Sequence, residues 1–514
     1  MSTLQYPHPA HRPRRRLRRF VWSVVALVVL GTLAFAGVFA YAWFTVPVST
    51  FGQLNFEQEL KIPPLAESRM EDGTRVFKLT AQQGSTELVE GRSTDTWGFN
   101  GDYLGPTLRA ERGEDVSVEV TNDLGEETSV HWHGMHLPAK ADGGPHQPIA
   151  PGKTWKPQWT IDQPAATLWY HPHPHGATAD HVYRGLAGLF ILDDPDSAVV
   201  DRLPHEYGVD DIPVIVQDKR LNSDGELDLS SRLFSGIGVL GEDLVVNGTP
   251  DPYLDVTTEK VRLRLLNAST ARMYDFGFSD DRTFALVGTD GGLLPEPVRR
   301  DRVQLSPGER AEIVVDLQPG EETVLRSYPP DFGGADVFVN RFDGGVDRFD
   351  VLQLRAADDL AASPDVPAEL ADAPDLDVDG AKVREFELSG RNINGKKMEM
   401  DRIDETVEVD STEVWEVRNR DGNPHNFHVH DVQFEVLSVD GDVPGPELAG
   451  WKDTIFMPPG RTVRLAMEFT DYTDPDLPYM FHCHVLMHED QGMMGQFVVV
   501  EKGGEAGTSH HAHH

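Results

Sequence analysis

Short runs of alternating apolar and polar residues, broken by Gly, Pro, Asp or Asn, fill the chain from Phe51 to about Glu501. The run Glu114-Asp-Val-Ser-Val-Glu-Val-Thr-Asn122 is typical. A period of two sends successive side chains to opposite faces of a strand, so the pattern predicts an all-β body. Upstream, Phe20 to Phe44 carries no charged residue. That run is long enough to cross a bilayer as a helix. No other long stretch has helical periodicity.

The strand pattern repeats with a long period. A strand-like run ends in asparagine three times: at Asn122, at Asn267 after Val261-Arg-Leu-Arg-Leu-Leu, and at Asn419 after Val414-Trp-Glu-Val-Arg. Each is followed by a Pro-Gly turn opening another strand: Pro151-Gly152-Lys153-Thr154, Pro307-Gly308-Glu309-Arg310 and Pro459-Gly460-Arg461-Thr462. Each unit has the size of one β-sandwich. The expected organisation is therefore a first domain over 51–195, a second over 205–355 and a third over 380–502. The Ala/Asp/Pro-rich stretch 356–379 reads as an acidic, solvated linker.

Composition adjusts this picture at the ends and at the surface. Residues 1–19 include the basic cluster Arg12-Pro-Arg14-Arg-Arg-Leu-Arg18-Arg19. The positive-inside rule places them in the cytoplasm and everything after Val46 outside. Residues 20–46 are then a transmembrane anchor. The alternative is a signal segment cleaved at Ala34-Phe-Ala36 or Ala40-Tyr-Ala42. Arg18-Arg19-Phe20 is a partial twin-arginine match. The expected location is the cell envelope, extracytoplasmic, membrane-anchored or exported. A net charge of −38 over 514 residues repels phosphates and argues against a nucleic-acid partner. Residues 503–514 form a His-rich tail, set aside from fold reasoning.

Candidate chemistry lies in the histidines and the single cysteine. None of the histidines falls between His205 and His425, so the body of the second domain has none and a metal site shared by the first and third is expected. Four clusters stand out: His131-Trp-His133-Gly, His171-Pro-His173, His425-Asn-Phe-His428-Val-His430, and His482-Cys483-His484 with His488 and Met493 beyond it. A lone cysteine makes no internal disulfide. Thiolate, imidazole and a weak thioether are the ligand set of a blue-copper site. If Cys483 lies on a strand, it faces one metal site while His482 and His484 face another. Any one pair has the plain alternative of surface or core histidines. His136, His146, His175, His181 and His205 take that reading, and Met494 is assigned to packing.

The motif order resembles the multicopper oxidases of the three-domain kind that includes bacterial laccases, from about Phe51 to Val500. Asp142-Gly-Gly, Asp162-Gln-Pro-Ala-Ala, Gly450-Trp-Lys-Asp and Glu489-Asp-Gln-Gly-Met-Met resemble the bacterial copper efflux oxidases in particular. The resemblance implies three tandem cupredoxin-like Greek-key β-sandwiches behind one N-terminal transmembrane helix or signal segment. It implies four copper ions per chain. His425, Cys483, His488 and the axial Met493 would hold the type 1 ion, and His131 with His428 the type 2 ion. His133, His171, His173, His430, His482 and His484 would hold the type 3 pair. Asp142 and Glu489 would relay protons, and Asp421 would bond His425 where substrate docks.

The partners implied are dioxygen, a small reducing substrate, and a membrane through the N-terminal segment. Monomer is the expected state, since three domains in one chain can build the whole site. The methionine-rich insert of the copper efflux oxidases has no counterpart between Ala356 and Lys397. The preferred substrates are therefore phenols or aromatic amines at an open type 1 face, with cuprous-ion oxidation second. A non-catalytic copper-binding envelope protein and a copper nitrite reductase are the readings of other kinds. The full ligand set disfavours both.

Overall fold

The computed structural model describes residues 2–3, 14–89 and 91–507. The His-rich tail from 508 onward and the basic residues before Arg14 lie outside the described residues. The chain divides into Met1–Pro47 and Val48–His514. The first unit holds a single helix, Arg14–Thr45, whose stretch Leu17–Thr45 is long and apolar enough to cross a membrane. Most of its Leu, Val and Phe side chains are exposed. The helix begins earlier than the apolar run, because arginine and leucine are good helix formers.

The second unit is built from six sheets. Two lie within 68–193, two are built mainly from 211–361, and two lie within 382–500. Each pair contains the same substructure. A strand runs parallel to the asparagine-ending strand: Thr74–Val89 beside Asp115–Asp123, Asp211–Lys219 beside Lys260–Asn267, and Lys382–Ser389 beside Ser411–Asn419. The strand that follows the Pro-Gly turn pairs antiparallel on its other side.

The reason for asparagine is the same three times. Asn122 donates from Nδ2 to the carbonyls of Glu126 and Ile149 and accepts from the Leu124 amide. Asn267 makes the matching bonds to Arg272, Leu305 and Ser269. Asn419 makes them to Asn423, Met457 and Asp421. All three are fully buried. One amide closes the loop and satisfies backbone groups that burial would otherwise leave unpaired.

Two segments differ from the sequence expectation. Residues 48–59 join the middle sheets: Gln58–Glu59 pairs parallel with Pro252–Thr258, and the Thr50 amide donates to Arg348. The strand Phe349–Ala361 runs six residues into the stretch expected to be linker, because Ala356 and Ala361 pair with Val256 and Thr258. Further along, Leu370 is buried against Leu203, Ala285 and Val287. Composition marked this stretch as solvated, but small alanines fit a ladder and one leucine is enough to pin it down.

Candidate metal centres

The histidine clusters sit on strands and on the turns that follow them, with only His131–His133 on a sheet edge. His131–His133 is a three-residue edge strand paired antiparallel with Ala166–His171, so His131 lies opposite His171 and His133 opposite Trp169. Directly opposed residues share a face. In the last part of the chain, His425–Val429 pairs with Asp474–His482, and His428 lies opposite His482. The two histidine faces meet. The His131 ring stacks on His430 at 3.8 Å and the His133 ring on His428 at 3.7 Å. Cys483 lies one residue past the strand end, where its amide donates to the Met493 carbonyl. The alternation of directions persists: Cys483 joins one group of donors, His482 and His484 another.

Four sets of donors result. His425 Nδ1 and His488 Nδ1 are 3.0 Å apart, and Cys483 Sγ lies 3.5 and 3.6 Å from them. A short helix, Leu486–Asp490, turns His488 back towards the cysteine. Met493 is buried beside them, its amide donating to the His488 carbonyl. His133, His171 and His484 converge in one triad and His173, His430 and His482 in another. His131 and His428 come together with His133. All of these side chains are buried.

The tautomers follow from the neighbours. A carbonyl only accepts, so the ring nitrogen facing it carries the proton. His131 donates from Nδ1 to Asp142 O, His171 to Pro172 O and His428 to Asp453 O. His430 donates to the Asp142 carboxylate at 2.9 Å, and His482 faces Glu489 at 3.2 Å. The Nε2 lone pairs of these rings therefore point inward. There His430 Nε2 and His173 Nε2 each lie 3.2 Å from His482 Nε2. His131 Nε2, His133 Nδ1 and His428 Nε2 have no partner although buried. Converging, unsatisfied imidazole nitrogens are costly without a cation. Burial, with neighbouring imidazoles adding to it, holds His133, His171, His428, His430 and His484 well below the usual imidazole pKa. It lowers His173 to about 4. Neutral rings are what a metal needs. Imidazole and thiolate together suit copper, and the His-Cys-His set with a nearby Met fits a blue-copper centre.

The carboxylates named from the sequence adjoin these groups. Asp142 spans His131 and His430 with its carbonyl and carboxylate. Glu489 lies between His482 and His173, at 3.2 and 3.5 Å. Burial pushes Glu489 upward, but the two imidazoles outweigh it and its pKa falls well below the carboxylate range. Asp421 accepts from His425 Nε2 at 2.8 Å and is partly exposed. That hydrogen bond lowers Asp421. His425 is pulled down by burial, yet Asp421 and Cys483 raise it overall.

Two further residues belong here. Asp453 faces His133 Nε2 at 3.0 Å and receives both guanidinium nitrogens of Arg310, at 2.8 and 2.6 Å. Both lay inside quoted motifs, Gly450-Trp-Lys-Asp and Pro-Gly-Glu-Arg. Their contacts span over a hundred residues, and nothing local in the sequence announces them. The minor histidines are placed separately. His181 is held by Thr128 and Glu126, His146 bonds Gln496, and His205 bonds the Leu203 carbonyl. The open face expected at His425 and His488 is not what the fold presents. Residues 231–238 cross over His488, whose Nε2 donates to the Gly236 carbonyl at 3.3 Å, and Asp343 anchors that crossing through the Gly236 amide. Arg391 donates to the same carbonyl. The methionine insert is absent, but other segments close the surface.

Comparison with known proteins agrees with this geometry. A family model described as multicopper oxidase matches residues 80–197, and a second with the same description matches residues 366–503. A multicopper oxidase of Staphylococcus haemolyticus is 37% identical over 86% of this chain and 93% of its own length. The cell division protein FtsP of Salmonella typhimurium is 38% identical over 86% and 93%. A solved structure superposes with TM-score 0.78, at 37% identity over 86% of this chain and 100% of that one. It is the bacterial laccase-like multicopper oxidase from Ochrobactrum, described as having oxidase activity towards lignin model compounds and lignosulfonate.

Proposed function

The chain belongs to the multicopper oxidase family, and from that premise we propose a laccase-like oxidase that draws single electrons from phenols or aromatic amines and reduces dioxygen to water. The observation that carries this reading is the covalent placement of Cys483 between His482 and His484. One tripeptide joins the three-donor group to both histidine triads. We assign one copper ion to His425, Cys483 and His488 with Met493, one to each triad, and one to His131 with His428. When bound, copper supplies the one-electron steps and the binding and reduction of dioxygen.

The protein's own residues do the rest. The Nδ1 bonds to Asp142, Pro172 and Asp453 fix ring orientation before any metal arrives. Full burial excludes water from both groups. Reduction of dioxygen to two waters consumes four protons, and carboxylates must hold and pass them. Asp142 takes that role at His430 Nδ1, and Glu489 at His482 Nδ1. Asp421 orients His425 from the solvent side and offers a carboxylate to a phenolic hydroxyl at the partly exposed edge. The apolar N-terminal helix would hold the catalytic unit at the outer face of a membrane.

The similarity to cell division proteins supports a second reading, a copper-binding envelope protein that does not turn over. The intact donor set favours the enzyme. Copper analysis with optical and EPR spectra, then oxygen uptake on a phenol and on cuprous ion in parallel, separates the readings. Faster uptake on the phenol supports the proposal. Preference for cuprous ion shifts the function to copper tolerance. Copper without uptake on either leaves the binding protein.

A further inference from the structure

Four of the chain's twelve methionines, Met398, Met400, Met480 and Met494, pack into one cluster that contains no other residue type. Every other hydrophobic cluster among the described residues mixes aliphatic or aromatic side chains. The cluster is graded from outside in: Met400 is half-buried and Met398 nearly covered, while Met494 and Met480 are buried.

Its inner end adjoins the histidine group. In the antiparallel pair Asp474–His482 and Met494–Val500, His482 lies opposite Met494 and Met480 opposite Gln496. Opposed residues share a face, so Met480, Met494 and Gln496 stand on the face that carries His482. Gly144 closes the other side: a Cβ there would sit 3.7 Å from Met480 Cγ and 3.0 Å from the Asp142 carboxylate. The outer end is tied down rather than loose. Gln496 donates to the carbonyls of Glu399, Met400 and Arg402 and also bonds His146.

A packing role needs no sulfur, and leucine fills such a space with better-defined rotamers. Thioethers are soft ligands that select cuprous ion. We infer that Met398, Met400, Met480 and Met494 form a thioether site for a cuprous ion, placed to pass it inward to the histidine group during metal loading. The step is ligand exchange from sulfur to imidazole nitrogen. No electrons move and the ion stays cuprous. The loading role rests on the reading of the histidine group as a copper centre; the thioether site does not.

The experiment uses the full chain in detergent, copper-loaded, reduced and anoxic, with 13C-methyl methionine. Cuprous ion is added from a weak chelator. The expected result is a saturable shift of these four methyl resonances, with Met493 unmoved. The variant Met398→Leu with Met400→Leu keeps the volume and apolar character and should abolish the shifts at Met480 and Met494. Reloading of the copper-stripped variant from cuprous ion, read as protein-bound copper after desalting, should slow by about tenfold, the low end of what losing a supporting group costs a metal site. Reloading from cupric ion should keep its rate. Absence of methyl shifts, or shifts spread over all methionines, overturns the site. Shifts with unaltered cuprous reloading overturn the loading role. Failure of the histidine group to take up copper by either route overturns the copper-centre reading and is told apart by the methyl shifts, which do not depend on it.

Discussion

At the scale of single residues, the chemistry is concentrated in donors whose protonation is fixed by what stands behind them. Cys483→Ser removes the one thiolate and leaves the histidine groups intact. The blue absorption should vanish and oxygen uptake fall to background, while a type 2 copper signal persists in EPR. Asp453→Ala tests the supporting layer instead. It takes away the acceptor facing His133 and leaves Arg310 with only the Asp290 carboxylate, 3.7 Å away. Losing such a partner typically weakens a metal site by about 10–100-fold, so copper retention against a competing chelator should drop by that order. The donors were legible in the sequence because residue type and local spacing carry the chemistry: His131/His133, His171/His173 and His482-Cys483-His484 each lie within three positions. Asp453 and Arg310 were not. An aspartate in a chain this acidic carries no mark until the fold sets it against an arginine from a distant strand.

At the scale of elements, the three buried asparagines offer a controlled comparison. Each satisfies backbone groups inside its own sheet pair, and a buried polar group left unpaired costs about 1–3 kcal/mol. Asn267→Ala should lower the thermal midpoint of the metal-loaded protein and disturb its spectra less, because its loop reaches the donors only through the backbone, where the Thr270 carbonyl accepts from the Leu486 amide. Asn419→Ala should lower it too and also perturb the blue band. There the same amide positions the Asp421 backbone, and Asp421 holds His425. Equal spectra in the two variants would disconnect the asparagine from the site. The repeat of asparagine and Pro-Gly turn was visible in the sequence because it recurs at matching positions. The ladder at 356–361 was hidden for the opposite reason: Ala and Asp have weak strand preference, and pairing with Pro252–Thr258 decides their conformation. The cover over His488 was hidden as well, since residues 231–238 lie far from it in the chain and hold no distinctive motif.

At the scale of the whole catalytic unit, the three sheet pairs are joined by buried charge. One guanidinium, that of Arg310 from the middle sheets, bonds the Thr167 carbonyl of the first part and the Asp453 carboxylate of the last. Arg310→Met breaks this pair and strands Asp453 without its cation, a change that costs about 3–5 kcal/mol for a buried ion pair. A lower thermal midpoint with loss of copper is expected, since Asp453 also faces His133. Lys219 makes a second seam. Its ammonium donates to the Tyr183 carbonyl at 2.6 Å and lies over the Tyr183 ring, tying the strand Asp211–Lys219 to the helix Thr178–Arg184. Burial drives its pKa down from 10.5 to about 7, against the opposing pull of Asp218. The sign follows from linkage: between those values the unfolded chain binds a proton that the folded chain does not, so stability rises with pH. Above the unfolded value the lysine is neutral in both states and costs nothing. As pH falls towards about 7 the penalty accumulates, and below the folded value it stays constant. Chemical denaturation of the metal-free protein should therefore show stability climbing from neutral to alkaline pH, and Lys219→Met should flatten that climb. An unchanged slope in the variant would mean that Lys219 keeps its proton in the seam and that other groups set the pH dependence.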